Sequence, residues 1–213
     1  MFCSNCGAEA RGNFCSECGE SLVRGVATTH AEIENWQHEI DYAKLIRIPE
    51  VRDRIERYAA MAPKRLSGEE FLALCDKVVS LGVPLESVGA MGQALWARLG
   101  IETGKEHFET FSIPSGTAIV AALCALARGG QIVQQVRQFT DGCLLEAKLP
   151  SDIWSFEGRL MVNIRRREEV TRVEGATEIE GQLFDWGKSR RCLQALFRDI
   201  KEISAKETAR SHL

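Results

Sequence analysis

Two stretches decide the fold: Arg159-Leu160-Met161-Val162-Asn163-Ile164-Arg165-Arg166, and Val170-Thr171-Arg172-Val173-Glu174-Gly175-Ala176-Thr177-Glu178-Ile179-Glu180. In the first, Leu160, Val162 and Ile164 alternate with Arg159, Met161, Asn163 and Arg165. In the second, Val173, Gly175, Thr177 and Ile179 alternate with Arg172, Glu174, Ala176 and Glu178. A period of two belongs to β-strands, and predicts one face against a core and the other toward solvent or a ligand. Working outward, Ile132–Arg137 and Cys143–Lys148 read as two further strands. The short turn Thr140-Asp141-Gly142 between them implies an antiparallel hairpin. A helix from about Thr117 to Arg128 precedes the strands, with Ser115 as its cap and Gly129-Gly130 as its stop. A last helix from Lys188 to Ile203 places Leu193, Leu196, Phe197, Ile200 and Ile203 on one side. Residues 113–205 are therefore expected to be an α-β-β-β-β-α unit, an antiparallel sheet with helices on one face, and the chain is of the α+β class.

Upstream, residues 29–110 read as a mainly helical region. Thr29-His30-Ala31-Glu32 fits a capping box, followed by a stripe of Ile33, Trp36, Ile40 and Ala43. Pro49 suits the first turn of a second helix, with Val51, Ile55, Tyr58, Ala59 and Ala62 on its apolar side. Ser67-Gly68-Glu69-Glu70 is a second capping box, opening a helix with Phe71, Leu74, Val78 and Val79 inward. Pro84–Leu99 gives a fourth helix. Trp36 and Trp96 lie on apolar stripes and are expected in the core. Gly100-Ile101-Glu102-Thr103-Gly104-Lys105 has the look of a phosphate loop. It has too few residues between its glycines, and Glu106 stands where a magnesium-binding hydroxyl is needed, so nucleotide binding is not expected.

Eight cysteines fall into two groups. Cys75, Cys124, Cys143 and Cys192 are scattered in apolar surroundings and are expected to be core residues. None has a histidine next to it in sequence, so a catalytic thiol is not expected. Cys3, Cys6, Cys15 and Cys18 form Cys-x2-Cys twice within the first eighteen residues. Two such pairs complete a tetrahedron of thiolates around one metal ion, and the glycine after each pair lets backbone amides approach the sulfurs. Disulfides do not suit a chain expected in the cytoplasm; iron is the chemical competitor of zinc for this donor set. Four thiolates close the coordination sphere, so the expected cofactor is structural Zn2+. Residues 2–22 resemble the short zinc ribbons at the ends of many otherwise unrelated bacterial and archaeal proteins. The resemblance implies metal binding without defining an activity.

The whole chain has 213 residues, 27 basic against 30 acidic, and a net charge of −3. Its length suits one or two domains with a sizeable core of their own. The charge argues against a dedicated, strongly basic nucleic-acid binder. The longest apolar run, Ala118–Ala127, is about half a membrane span. The first residues lack the basic and apolar pattern of a secretory signal, so a cytoplasmic location is expected, with no membrane span.

The C-terminal unit, with Gly181-Gln182-Leu183-Phe184-Asp185-Trp186-Gly187-Lys188-Ser189, resembles small bacterial α+β domains of unknown function in zinc-ribbon proteins. The likeness covers residues 113–204 and implies a fold alone. Lys188, Arg190 and Arg191 in the first turn of the last helix are candidate anion-binding residues, because free amides there attract negative charge. Solvated cations over a turn capped by Asp185 are the simpler expectation. Arg165-Arg166-Arg167-Glu168-Glu169 reads as a charged hairpin tip, with phosphate contact as the alternative.

With no catalytic triad, paired carboxylates or open metal site, the expected function is a non-enzymatic zinc-binding interaction or adaptor module with a protein partner. The alternatives are nucleic-acid association through the ribbon and basic patches, and small-ligand binding in a cleft of the α+β domain. If the ribbon is structural, chelation should unfold residues 1–22 and leave the core of residues 29–204 folded, read by metal release alongside an unchanged far-UV melt. Collapse of the whole fold on chelation would refute that division.

Overall fold

A computed structural model describes residues 35–62, 67–80, 105–149, 158–178 and 187–211. Cys3, Cys6, Cys15, Cys18, the capping box at Thr29, Ile33, the helix expected at 84–99 with Trp96, and the turn at Asp185-Trp186 lie outside the described residues. Asn35–Leu213 forms one compact unit. No helix among the described residues is long and apolar enough to cross a membrane.

The expected first helix is interrupted. Trp36–His38 is a single 3-10 turn, and α1 is only Tyr42–Leu45. The break follows from Asp41, whose carboxylate accepts from the amides of Ala43 (2.8 Å) and Lys44 (3.3 Å) and so starts a new helix there. Helix α2, Pro49–Ala59, has proline in its first turn as expected and buries Val51, Ile55 and Ala59. Helix α3, Gly68–Ser80, opens on the expected capping box. Ser67 N donates to Glu70 Oε2 (2.9 Å), and Glu70 N donates to Ser67 Oγ (3.1 Å). Its buried residues are Phe71, Leu72, Cys75 and Val78, with Leu74 only half-buried, so the apolar face is rotated from the expected one.

Among the described residues the sheet has five strands rather than four. The added one is β1, Lys105–Phe111, in a segment expected to belong to the helical region. Then follow α4 (Ser115–Arg128), β2 (Val133–Phe139), β3 (Gly142–Leu149), β4 (Gly158–Arg167), β5 (Val170–Glu178) and α5 (Lys188–Ser211). The order is β1-β5-β4-β3-β2, with every neighbouring pair antiparallel. The expected cap at Ser115 is also corrected. Pro114 is the N-cap and gives no side-chain bond, its carbonyl accepting from Ala118 N (3.1 Å), while Ser115 is the first helical residue. Gly129 and Gly130 end the helix as expected, Gly130 with φ +67°.

Opposed residues of an antiparallel sheet share a face. His107, Gly175, Val162, Leu145 and Val136 form one line across it. Helix α5 covers this face. A Cβ on Gly175 would lie 2.9 Å from both Leu193 and Phe197, so those two side chains fill the space above the strand. All five apolar residues expected on one side of α5 are buried.

Helix α4 is enclosed. Every residue from Ser115 to Ala127 is buried, against α2, α5, the 3-10 turn and strands β3, β4 and β5. Its start is fitted to backbone rather than side chains: a Cβ on Gly116 would run into the carbonyl oxygens of Trp36, Gln37 (2.6 Å) and Glu39 (2.6 Å). The same strand of chain is held to the β2–β3 hairpin by Gln138. Its amide donates to the carbonyls of Ile40 (2.8 Å), Phe139 (3.1 Å) and Gly142 (2.9 Å), and its oxygen accepts from Tyr42 N (3.0 Å).

Ion pairs tie the outer helices to this centre. Arg52 makes a forked pair with Asp76 (3.0 Å) between α2 and α3, and Arg54 pairs with Glu207 between α2 and α5. Arg54 also pairs with Glu50 (2.5 Å) and lies over the Trp36 ring at 4.9 Å, whose Nε1 donates to Glu50 (3.1 Å). Trp36 is thus a core residue, as expected.

Because backbone cannot move aside as a side chain can, Gly116→Ala should cost about 1–3 kcal/mol. Gly129→Ala meets only the flexible end of Gln131 in ordinary helical backbone and should cost far less. Thermal melts of the two variants compare them directly; equal losses would refute the close approach at Gly116.

Candidate functional site

The sheet face opposite α5 carries a connected set of polar side chains. The register places Phe108, Glu174, Asn163, Leu144 and Arg137 in one row, and Thr110, Arg172, Arg165, Gly142 and Phe139 in the next. Glu174 is the centre of the first row. It accepts from Arg172 Nε (2.6 Å) and from Asn163 Nδ2 (2.9 Å). Arg172 so held lies over the Phe108 ring at 4.4 Å. Phe108 is 60% exposed, an uncommon state for a large apolar side chain.

Arg165 and Arg172 stand directly opposite each other, a like-charge pair that would ordinarily repel. They diverge. Arg172 turns toward Glu174 and Phe108. Arg165 turns the other way, with Asp141 at 2.8 Å and the Phe139 ring at 4.4 Å. Arg165 and Asn163 are buried, 9% and 3% exposed. Asn163 Oδ1 and Arg165 Nη1 are left without a hydrogen bond among the described residues. One donor and one acceptor held two residues apart on a strand can be satisfied by an ordered water or by a polar ligand group. Beneath them, Phe139, Leu144, Met161 and Ala176 form a small apolar cluster on the same face.

The arginine run at 165–167 is therefore not one patch. Arg165 is buried and paired with Asp141, while Arg166 and Arg167 are exposed at the tip of the β4–β5 hairpin beside Glu168 and Glu169. The candidate anion residues Lys188, Arg190 and Arg191 do fall in the first turn of α5. Lys188 is half-buried and the other two are exposed. Gly187 precedes them with φ +74°, and its carbonyl accepts from Arg191 N (3.0 Å). Asp141 sits at the β2–β3 turn, and Asp185 lies outside the described residues.

The four single cysteines are placed as expected of core residues: Cys75, Cys124 and Cys143 are buried, Cys192 half-buried. Burial pushes their thiols up to about 11, 12, 12 and 11 respectively. Such thiols stay protonated near neutrality and are poor nucleophiles and poor ligands. Among the described residues no group of three or more His, Cys, Asp or Glu gathers to hold a metal ion.

His107 Nε2 meets Glu109 Oε1 at 3.0 Å and packs edge-on against Phe197, with ring centres 4.5 Å apart. Lys201 Nζ reaches Glu109 Oε2 at 2.8 Å, joining β1 to α5. Burial raises the Glu109 carboxyl, but the His107 and Lys201 hydrogen bonds and the Lys201 charge outweigh it and hold it below the ordinary range. Reading the sequence missed this strand and the Phe108–Arg172–Glu174 set. The available signal was the alternation of His107 and Glu109 with Glu106, Phe108 and Thr110.

No protein-family model, curated protein or solved structure matches the chain.

Glu202 is the acid most clearly tuned by its partners. Hydrogen bonds from Lys206 (2.7 Å) and Arg128 (3.0 Å), and then the charges of both, lower its carboxyl from 4.5 to about 2. A depressed carboxyl contributes stability above its unfolded value, and that contribution is lost as pH falls from 4.5 through about 2. The melting-temperature gap between wild type and Glu202→Gln should therefore be largest near neutrality and close across that interval. A gap independent of pH would refute the α4–α5 ion pair.

Proposed function

We propose that the chain is a non-enzymatic zinc-binding interaction protein. In this reading residues 1–24 meet a protein partner and residues 35–213 are the folded carrier. The observation that carries it is a self-contained unit. Asn35–Leu213 is one compact unit whose own cysteines all serve its interior, with thiols held protonated. The remaining four cysteines are Cys3, Cys6, Cys15 and Cys18. Their two Cys-x2-Cys pairs are the donor set that suits zinc. Bound Zn2+ supplies folding energy to so short a segment and, with four thiolates, keeps no position for a reacting water. A four-thiolate site with no open coordination position fits recognition better than catalysis.

The test uses the full chain and a Cys15→Ser/Cys18→Ser variant. Wild type should hold about one zinc per chain and recover a specific protein partner from its native cell. The variant should lose both while the thermal melt of the remaining core moves by only a few degrees. Equal recovery of the partner by the variant, or a wild type that holds no metal, would overturn the reading.

A further inference from the structure

We propose that the outer edge of β1 pairs antiparallel with the same edge of a second copy, on a twofold axis through Phe108. Strand β1 is last in the order β1-β5-β4-β3-β2, and no strand lies beyond it among the described residues. Glu106, His107, Phe108 and Thr110 are all exposed. A free edge is a template for another strand, and charged side chains ordinarily guard it. The charges of β1 guard against most strands and fit its own copy.

With the axis through Phe108, His107 faces the partner's Glu109 and Glu106 faces the partner's Thr110. Phe108 faces the partner's Phe108. No like charges meet. Sliding the two strands by two residues in one direction sets Glu109 against the partner's Glu109. Sliding them the other way sets Glu106 against the partner's Phe108 and His107 against the partner's His107. Cross-strand pairs of this kind fix register, because like charges directly opposite destabilise a ladder and aromatic pairs stabilise it.

The chosen register also gives Phe108 an environment. Arg172 already covers one side of its ring at 4.4 Å, held there by Glu174. The partner's ring takes a side that is now in water, and two arginine-backed phenyl rings meet at the axis. Each face of one sheet continues into the same face of the other, as an isologous contact requires. An interface of one seven-residue strand per copy falls in the size class of weak, concentration-dependent complexes, below about 1,200 Å². The inference is independent of the zinc reading, since it uses only β1 and its neighbours.

Sedimentation equilibrium on the full chain over a wide concentration range should show reversible association to twice the monomer mass. Phe108→Asp sets two carboxylates against each other on the axis and should weaken the dimer by roughly tenfold or more. Its thermal melt at low concentration reads the cost to the monomer separately, since the new carboxylate also stands opposite Glu174. A second measurement reads the register. Directly opposed residues bring Cβ atoms within about 4.5–5.5 Å, so Phe108→Cys should form an intermolecular disulfide under mild oxidation. Thr110→Cys, which faces the partner's Glu106, should not exceed the wild-type background. A chain that stays monomeric at every concentration overturns the proposal. So does a dimer that is indifferent to Phe108→Asp and in which Phe108→Cys cross-links no better than Thr110→Cys.

Discussion

The enclosure of α4 is the constraint on which the other elements depend. Helix α2, helix α5, the turn at Trp36 and three strands all rest on Ser115–Arg128, and no side of it from Ser115 to Ala127 meets water. Small residues make this arrangement feasible. Gly116, Ala118, Ala121, Ala122 and Ala125 allow neighbouring backbones close to the helix axis, and the larger Ile119, Leu123 and Leu126 fill what space is left. Dense interiors of this kind transmit rather than absorb a change of volume. A shift at the start of α4 therefore moves the Trp36 turn, and with it the Glu50–Arg54–Glu207 ion pairs that join α2 to α5.

The two faces of the sheet solve different problems. One is apolar and closed by Leu193 and Phe197. The other holds arginines and glutamates close together, and its central strand, β4, buries residues of both faces from Leu160 to Arg165. Charge can be buried there because it is locally neutralised. Arg159 reaches Glu178 (2.7 Å) and Glu146 (3.4 Å), Arg172 reaches Glu174, and Arg165 reaches Asp141. Removing Asp141 would leave the buried Arg165 uncompensated, which costs more than that pair itself is worth.

Strands β2 to β5 were legible to within about two residues, because alternation and a short turn at Asp141 leave little freedom of register. The long apolar run at Ala118–Ala127 gave α4, and the capping box at Ser67 gave the start of α3. Strand β1 was not legible. Lys105, Glu106, His107 and Glu109 make it polar, and its two phenylalanines are three apart, a helical spacing. Only its pairing with β5 makes it a strand. The outer-face site was hidden for a related reason. Arg172 and Glu174 are two apart on one strand, but Phe108 and Asn163 reach them from two others, and sequence spacing carries no record of cross-strand proximity. The break at Asp41 shows a local signal outranking a stripe: a side chain that can cap two amides begins a helix where periodicity alone would continue one.

Gln138 joins the two ends of this story across time as well as space. The amide that holds Ile40 and Tyr42 comes from a residue 98 and 96 positions further along the chain. During synthesis, α1 and α2 leave the ribosome well before that partner exists, and before α4 can cover the apolar face of α2. Their apolar faces must wait, exposed to solvent, until the β2–β3 hairpin has emerged. The newly made chain is therefore most open to chaperone capture, aggregation and proteolysis in its first half. That vulnerability ends only when α5, which follows every strand in the chain, closes over α4 and the sheet.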